Sequence, residues 1–318
     1  MKRKYKVIIT IVSLLIVLFV GAGFFAGNYF YNLALNPTTD KSAVLDAPIN
    51  SIAVNPKEAK EKEESEKWFK ETSQDSYVQS FDDLKLHAYT LKNTNETNKW
   101  AIVFHGYSSD GSQMSKYAKH FYDTGYNVLI PDARAHGKSE GDYIGMGWHD
   151  RLDVVSWINN VTYSDKNAEI ILYGISMGGA TVMMASGEDL PNNVKAIIED
   201  CGYSSVWDEF SYQLQEIFHL PVFPIMHFSS IVTKVRADYT LGEANTVEQV
   251  AKSKTPMLFI HGSNDTFVPS YMLNEVYEAA NVPKEKMIVE GAGHGGAENI
   301  AGDSYWKTIN NFLAKYVE

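Results

Sequence analysis

The sequence predicts an α/β protein with a mostly parallel central sheet flanked by helices. From about residue 77 onward, short apolar runs typical of strands alternate with longer segments whose apolar residues recur at helical spacing. This alternation is typical of β-α-β units, which form parallel sheets with right-handed crossovers. Two further features refine the prediction: a Gly-x-Ser-x-Gly turn between a strand and a helix, and a long apolar run at the amino terminus.

The elements of this sheet can be assigned in chain order. Residues 77–81 and 84–91 flank Asp82-Asp83 and predict a hairpin. The later predicted strands are residues 100–104, 127–131, 169–173, 194–199, 256–260 and 286–289. The predicted helices are residues 112–124, 150–161, 179–187, 271–280 and 304–316.

The Gly-x-Ser-x-Gly turn occupies residues 174–178, directly after one predicted strand and before a predicted helix. A strand, such a turn and a helix form a nucleophile elbow, in which Ser176 would stand exposed at the carboxyl edge of the sheet. Gly174 and Gly178 would let the strand and the helix approach closely beneath it. A second match at residues 137–141 has no directly adjoining apolar strand or helix. We therefore place the nucleophile at Ser176, where a serine suggests covalent acyl transfer.

Composition excludes several other classes of protein. The 318 residues suit one large α/β domain with additional segments. The net charge of −11, from 28 basic and 39 acidic residues, argues against general nucleic-acid binding. Cys201 is the only cysteine, so the chain can form neither an internal disulfide nor a cysteine zinc site. The sequence contains no His-Glu-x-x-His, phosphate-binding glycine loop or dinucleotide fingerprint, so we expect neither a metal nor a cofactor.

The amino terminus predicts a membrane anchor. Four of residues 1–6 are Lys or Arg, and residues 7–26 are uncharged and strongly apolar. Such a run can cross a bilayer as one helix, and it exceeds the apolar core of about 7–15 residues usual in a secretory signal. We therefore favour an uncleaved anchor over the alternative, secretion after signal cleavage. The positive-inside rule would place the tip in the cytoplasm and the chain after about residue 30 outside it, with residues 29–31 as an aromatic belt.

The sequence further predicts three parts: a basic tip and transmembrane helix over residues 1–30, a spacer over 31–75 and an α/β domain over 76–318. Within the spacer, the dense mixture of Lys and Glu over residues 57–70 predicts a solvated helix. Residues 201–254 interrupt the strand–helix alternation with many aromatic side chains. We interpret this insertion as a small cap over the site, with packing of its aromatic residues in the main core as the alternative.

Residues 77–318 resemble the α/β-hydrolase superfamily, and within it the membrane-anchored bacterial serine hydrolases of esterase, lipase and aminopeptidase type. The elbow carries this resemblance together with His105-Gly106 after a strand, the His-Gly-x-x-Asp segment 261–265 and a later glycine-rich loop that contains a histidine. The resemblance implies the α/β-hydrolase fold over this part of the chain.

Segment 132–139 carries the resemblance with one departure. The family stretch usually reads Arg-Gly-His-Gly, and here Ala135 replaces the first glycine. In the family this stretch shapes a loop beside the active site and performs no chemistry. We therefore leave His136 and Ser139 outside the predicted site.

The resemblance implies a catalytic triad in the chain order serine, acid, histidine. Ser176 would be the nucleophile, His294 the base and Asp265 the acid that orients the base. Among the nine histidines, only His294 lies beyond Asp265. Asp200, after the predicted strand 194–199, is the alternative acid, since some members of the superfamily use that position.

An oxyanion hole requires two backbone N–H groups beside the nucleophile. One would come from Met177, the residue after Ser176. The other is assigned by resemblance to Tyr107, in the loop after the strand that ends at Phe104. The resemblance thus implies a serine hydrolase that cleaves carboxylic esters through an acyl-enzyme, with a small-molecule ester or a peptide as substrate. A serine peptidase or amidase is the alternative, and a non-catalytic anchored binding protein is the hypothesis from another class.

Overall fold

The computed structural model describes residues 2–45 and 56–317, so that residue 1, residues 46–55 of the predicted spacer and residue 318 lie outside the described residues. The strands are β1 (Gln74–Gln79), β2 (Lys85–Leu91), β3 (Lys99–Phe104), β4 (Asn127–Pro131), β5 (Glu169–Ile175), β6 (Val194–Asp200), β7 (Met257–Gly262) and β8 (Lys284–Val289). They form one eight-stranded sheet in the order β1-β2-β4-β3-β5-β6-β7-β8.

The sheet is mostly parallel, as predicted. Neighbours from β4 through β3 to β8 pair in parallel. The predicted hairpin is β1 and β2, and Asp83 in its turn has φ 68°, a left-handed conformation that Asp tolerates better than most residues. Strand β2 also pairs antiparallel with β4, which the alternation of strands and helices did not predict.

Helices cover both faces of this sheet. They are α1 (Lys2–Leu35), α2 (Ser42–Leu45), α3 (Pro56–Thr72), α4 (Ser115–Asp123), α5 (Asp150–Ser164), α6 (Met177–Ala185), α7 (Val206–Phe218), α8 (Val222–Ala237), α9 (Thr246–Val250), α10 (Tyr271–Ala279), α11 (Ala297–Ala301) and α12 (Asp303–Leu313). Alternate residues of the central strands contribute to opposite apolar clusters, as the period of two requires. In β3, Trp100 and Ile102 belong to one cluster and Ala101 and Val103 to the other.

Helix α1 is long and apolar enough to cross a membrane. Most of its large apolar side chains up to residue 25 are exposed. The helix continues five residues past the predicted boundary at residue 30, and Tyr31, Leu33 and Leu35 near its end are buried. The start of the predicted spacer is therefore helical and packs against the rest of the chain.

The predicted aromatic belt, residues 29–31, lies where α1 passes from exposed to buried side chains. Tyr29 is exposed, as a belt residue would be, whereas Tyr31 is buried and the ring of Phe30 lies 5.3 Å from that of Phe218 on α7.

Helices α7, α8 and α9 make up most of the insertion between β6 and β7. Helix α8 packs along α1 over much of its length, so the insertion and the end of α1 form one unit.

The predicted charged helix is α3. Lys60 and Glu64 form an exposed ion pair at 3.6 Å, as expected for residues one turn apart. The helix also has an apolar face, because the ring of Trp68 lies 5.1 Å from that of Tyr122 on α4. This part of the predicted spacer is therefore a helix of the outer layer.

Candidate active site

The turn between β5 and α6 presents Ser176 at the carboxyl edge of the sheet. Ser176 has φ 57° and ψ −119°, a strained conformation of the kind that clusters at functional sites. Two glycines permit this turn. A Cβ atom on Gly174 would overlap the backbone of Gly178, and a Cβ atom on Gly178 would overlap the carbonyl group of Phe104. The strand and the helix therefore approach each other as closely as the sequence pattern predicted.

Two loops bring an imidazole and a carboxylate to Ser176. His294 lies in the loop after β8, and its Nε2 is 2.8 Å from Ser176 Oγ. Asp265 lies in the loop after β7, and its Oδ2 is 2.8 Å from His294 Nδ1. The serine hydroxyl can donate to Nε2 while Nδ1–H donates to the carboxylate, which is the arrangement that a general base requires. The structure thus brings together the three residues that the resemblance assigned to a triad.

Asp265 is surrounded by hydrogen-bond donors. Its Oδ1 accepts hydrogen bonds from the backbone N–H groups of Phe267 and Val268, at 3.0 and 2.9 Å. Its Oδ2 also lies 3.3 Å from Nε2 of the buried His261. Burial raises the pKa of Asp265, but the hydrogen bonds from His261 and His294 outweigh burial and hold that pKa at about 2. Asp265 is therefore ionised at neutral pH and can stabilise an imidazolium at His294.

Asp200, the alternative acid, ends β6 and makes different contacts. Its Oδ2 accepts a hydrogen bond from the Tyr305 hydroxyl at 2.7 Å, and its backbone carbonyl accepts one from the Ser176 N–H at 2.8 Å. Burial raises the pKa of Asp200 to about 6. Within the described ranges no hydrogen bond joins Asp200 to His294. Asp200 therefore supports the backbone of the elbow, whereas Asp265 lies against the histidine.

The two residues predicted to form an oxyanion hole lie in the segments next to Ser176. Met177 is the first residue of α6, where backbone N–H groups have no partner within the helix and the helix dipole favours negative charge. Tyr107 follows β3 in a loop that packs on the nucleophile. A Cβ atom on Gly106 of this loop would stand 3.4 Å from Cβ of Ser176. Both segments therefore lie next to Ser176, where a negatively charged oxygen would form.

Ser176 also lines a largely apolar pocket of about 90 Å³. This volume exceeds the roughly 10–15 Å³ that one water molecule needs, so the pocket can hold part of a substrate. Its wall combines the loop of Tyr107, the helices α7 and α8 of the insertion, and the end of α1. The insertion therefore forms part of the pocket wall beside the nucleophile.

Comparisons with known proteins agree with this fold. The family model described as serine aminopeptidase, S33, matches residues 95–220. The chain is 29% identical over 221 residues to the uncharacterized protein YqkD of Bacillus subtilis, which covers 69% of this chain and 72% of YqkD. It is 25% identical to the uncharacterized membrane protein YNL320W of Saccharomyces cerevisiae, over 73% of this chain and 76% of that protein. An esterase of Pyrococcus furiosus superposes with a TM-score of 0.61 at 23% identity, over 77% of this chain and 92% of the esterase. The chain has the α/β-hydrolase fold.

Within this fold, segment 132–139 forms a loop held by its own hydrogen bonds. The Ser139 hydroxyl donates to the carbonyl oxygen of Asp132 at 2.7 Å. Neither a strand nor a helix adjoins residues 137–141, so the second Gly-x-Ser-x-Gly match is not an elbow. Ala135 has φ 61°, which explains why the family favours glycine at this position, since glycine adopts that conformation without strain.

The sequence did not predict two contributions to this site. Five residues near the end of α1 line the pocket, from Phe30 to Leu35 without Asn32, although the sequence assigned this segment to a belt and a spacer. The available signal was the apolar pattern, which continues to Leu35 with Asn28 and Asn32 as its polar interruptions after residue 26. His261 contacts Asp265, and no pattern in the sequence distinguishes that contact from an ordinary structural role.

Proposed function

We propose that this α/β-hydrolase is a serine hydrolase that cleaves carboxylic esters through an acyl-enzyme on Ser176. The observation that carries the proposal is a pair of 2.8 Å contacts, from Ser176 Oγ to His294 Nε2 and from His294 Nδ1 to Asp265 Oδ2. At such distances an imidazole can take the proton of a serine hydroxyl while a carboxylate stabilises the resulting charge. The reaction then needs only these three side chains, an oxyanion hole and water.

The reaction proceeds in two halves. Ser176 Oγ attacks the acyl carbon while its proton passes to His294 Nε2, and the N–H groups of Met177 and Tyr107 stabilise the negative carbonyl oxygen. When the bond to the leaving alcohol breaks, the alcohol oxygen takes the proton from Nε2. Water then gives a proton to Nε2 and adds to the acyl carbon. Collapse of that intermediate releases the carboxylic acid and returns the proton to Ser176 Oγ.

The pocket favours an ester with an apolar acyl group. Its lining is mainly apolar, and Glu209 is the one carboxylate among the described residues that line it. Burial raises the pKa of Glu209 to about 8, so this carboxyl group is mostly neutral at neutral pH. The pocket therefore offers little charge to attract an ionised substrate.

A serine aminopeptidase is the second candidate, and Glu209 is also the observation that favours it. Its Oε2 is buried and has no hydrogen-bond partner among the described residues, and an ammonium group placed beside it would favour the ionised form. If the enzyme is an aminopeptidase, Glu209→Gln should lower kcat/KM for an aminoacyl p-nitroanilide about tenfold more than for p-nitrophenyl acetate. Equal changes for the two substrates would argue against the peptidase.

We propose further that α1 is an uncleaved single-pass anchor and that the α/β domain is extracytoplasmic. The burial of Tyr31 and Leu35 supports retention, because the last turns of the helix pack within the folded domain. The basic residues before the apolar run favour a cytoplasmic amino terminus. Intact mass measurement of the membrane fraction should find the full-length chain. A shortened chain in the medium would instead support the alternative, secretion after cleavage.

Covalent labelling with a fluorophosphonate probe tests the catalytic proposal. The probe should modify Ser176 in the wild type, and Ser176→Ala should lower turnover of p-nitrophenyl acetate by a factor on the order of a thousand or more. Ser139→Ala is the matched control, because Ser139 occupies the second Gly-x-Ser-x-Gly match and should leave labelling intact. A folded wild type that stays unlabelled would leave the anchored binding protein as the better hypothesis.

A further inference from the structure

We infer that the substrate is an ester that resides in the lipid bilayer, and that its acyl chain enters the pocket along α1 from the membrane. The inference rests on the proposed ester hydrolysis at Ser176. Three observations carry it: the end of α1 is part of the pocket wall, α8 runs beside the apolar part of α1, and the charges of α8 are confined to its last turns.

The end of α1 is fixed to the catalytic domain at the pocket. The carbonyl oxygen of Ala34 accepts a hydrogen bond from the Tyr107 hydroxyl at 2.7 Å, and that of Leu35 accepts one from the Ile144 N–H at 2.8 Å. The same tyrosine is the residue assigned to the oxyanion hole. Five residues of α1 share the lining with Ser176, namely Phe30, Tyr31, Leu33, Ala34 and Leu35. The helix that is apolar enough to cross a membrane therefore supplies one wall of the pocket.

Helix α8 runs in the same direction as α1. Phe228 lies against two glycines of α1, and a Cβ atom on Gly27 would stand 2.7 Å from its backbone carbonyl carbon. Its ring also lies 5.1 Å from that of Phe24. Later in both helices, Nη1 of Arg236 donates to Oδ1 of Asn32 at 2.8 Å. The contacts advance together along the two helices, so the first half of α8 lies beside the apolar run of α1.

The charged residues of α8 lie at one end of the helix only, as expected for a helix at the boundary between lipid and water. Residues 222–233 contain no Lys, Arg, Asp or Glu, whereas Lys234 and Arg236 follow in the last turn. In the charge-free part, Phe223 and Ile231 are 66% and 46% exposed. Large exposed apolar side chains beside a membrane-crossing helix are stabilised by lipid and not by water. The first half of α8 therefore fits the apolar layer, and its last turn fits the polar surface.

The apolar first half and the polar last turn of α8 place the pocket entrance at the membrane surface. The hydrogen bond between Arg236 and Asn32 marks the depth of the polar membrane surface. Gly23, within the apolar run, lies about 14 Å from Asn32 along α1. The five residues of α1 that line the pocket, between Phe30 and Leu35, lie at and beyond the depth of Asn32. An acyl chain that lies along α1 can therefore pass into the apolar pocket without crossing water, and its carbonyl carbon can meet Ser176.

The experiment uses the full chain in phosphatidylcholine vesicles. It compares p-nitrophenyl palmitate, dissolved in the bilayer, with p-nitrophenyl acetate in the surrounding water. Ala34→Trp intrudes on the pocket wall and should lower the ratio of kcat/KM for palmitate to that for acetate about tenfold. Ala22→Trp places the same side chain at an exposed position of the same helix and should leave the ratio within about twofold. An equal ratio in the two variants would overturn the inference.

A second measurement does not depend on turnover. In the Ser176→Ala chain, a phosphatidylcholine that carries a diazirine on one acyl chain is activated by light within the vesicle. Cross-links to Phe210 and Leu214, which line the pocket from α7, would support entry from the bilayer. Acetate turnover by the wild type without such cross-links would overturn the inference and leave the hydrolase function intact. Pocket cross-links together with a wild type that cleaves neither ester would support entry and contradict the hydrolase function.

Discussion

The catalytic edge of the sheet and the wall of the pocket are built in different ways. At the edge, Ser176, Asp265 and His294 each follow a strand within a few residues, so local sequence determines where their side chains lie. The wall instead joins three segments that are distant in sequence: the end of α1, the loop after β3 and the helices of the insertion. Reactive groups can thus be placed by short local patterns, whereas the shape of the pocket depends on how α1 docks on the domain.

The largest expected effect tests the catalytic edge. Asp265→Asn should lower kcat on the order of ten-thousand-fold, because the loss of the carboxylate removes the charge that orients His294 and stabilises its imidazolium. Asp200→Asn should change kcat by less than about tenfold, because the Asp200 side chain bonds to Tyr305 and not to His294. Steady-state kinetics with p-nitrophenyl acetate measure both. A larger loss at Asp200 would reverse the assignment of the acid.

The next effect tests the docking of α1 on the insertion. Gly27→Leu should destabilise the folded state by about 1–3 kcal/mol, because the new side chain would press on the backbone of Phe228. Gly21→Leu is the matched control, since no atom lies within 4 Å of a Cβ atom there. Both changes gain the same helix propensity, so their difference isolates the contact. Denaturation in detergent micelles measures it, and equal stabilities would show that α1 and α8 do not pack together.

The third effect concerns the pH dependence of stability at the catalytic edge. Burial lowers the pKa of His261, but Asp265 and then Glu199 outweigh burial and raise that pKa to about 8. This value exceeds the ordinary pKa of about 6.5, so protonated His261 stabilises the fold below about pH 6.5. That contribution, about 2 kcal/mol, is lost as the pH rises through 8.

Comparison with His261→Gln measures this contribution. The wild type should lose about 2 kcal/mol more of its free energy of unfolding than the variant between about pH 6 and pH 9. Chemical denaturation of both chains at the two pH values provides the numbers. The same pH dependence in both chains would mean that His261 does not carry a proton beside Asp265.

The sequence predicted the catalytic edge better than the wall for a physical reason. Strand periodicity and the Gly-x-Ser-x-Gly turn are local, so the strand predicted over residues 169–173 was found as Glu169–Ile175. Tyr31 and Leu35 satisfy the hydropathy of a lipid-facing helix and of a pocket wall equally well, and hydropathy alone does not distinguish the two. The antiparallel pairing of β2 with β4 likewise depends on how the whole sheet assembles.

The smallest expected effect tests whether the exposed start of α8 contacts lipid. Phe223→Ser should lower the activity of the full chain on p-nitrophenyl palmitate in vesicles about threefold, because it removes part of the apolar surface that the bilayer would cover. Tyr163→Ser is the control. Tyr163 is 83% exposed near the end of α5, and α5 leads into β5 at the amino edge of the sheet, opposite the active site. Activity on p-nitrophenyl acetate should stay constant in both variants, because neither side chain touches the triad. Equal losses on palmitate at the two positions would place α8 in water and leave α1 alone in the membrane.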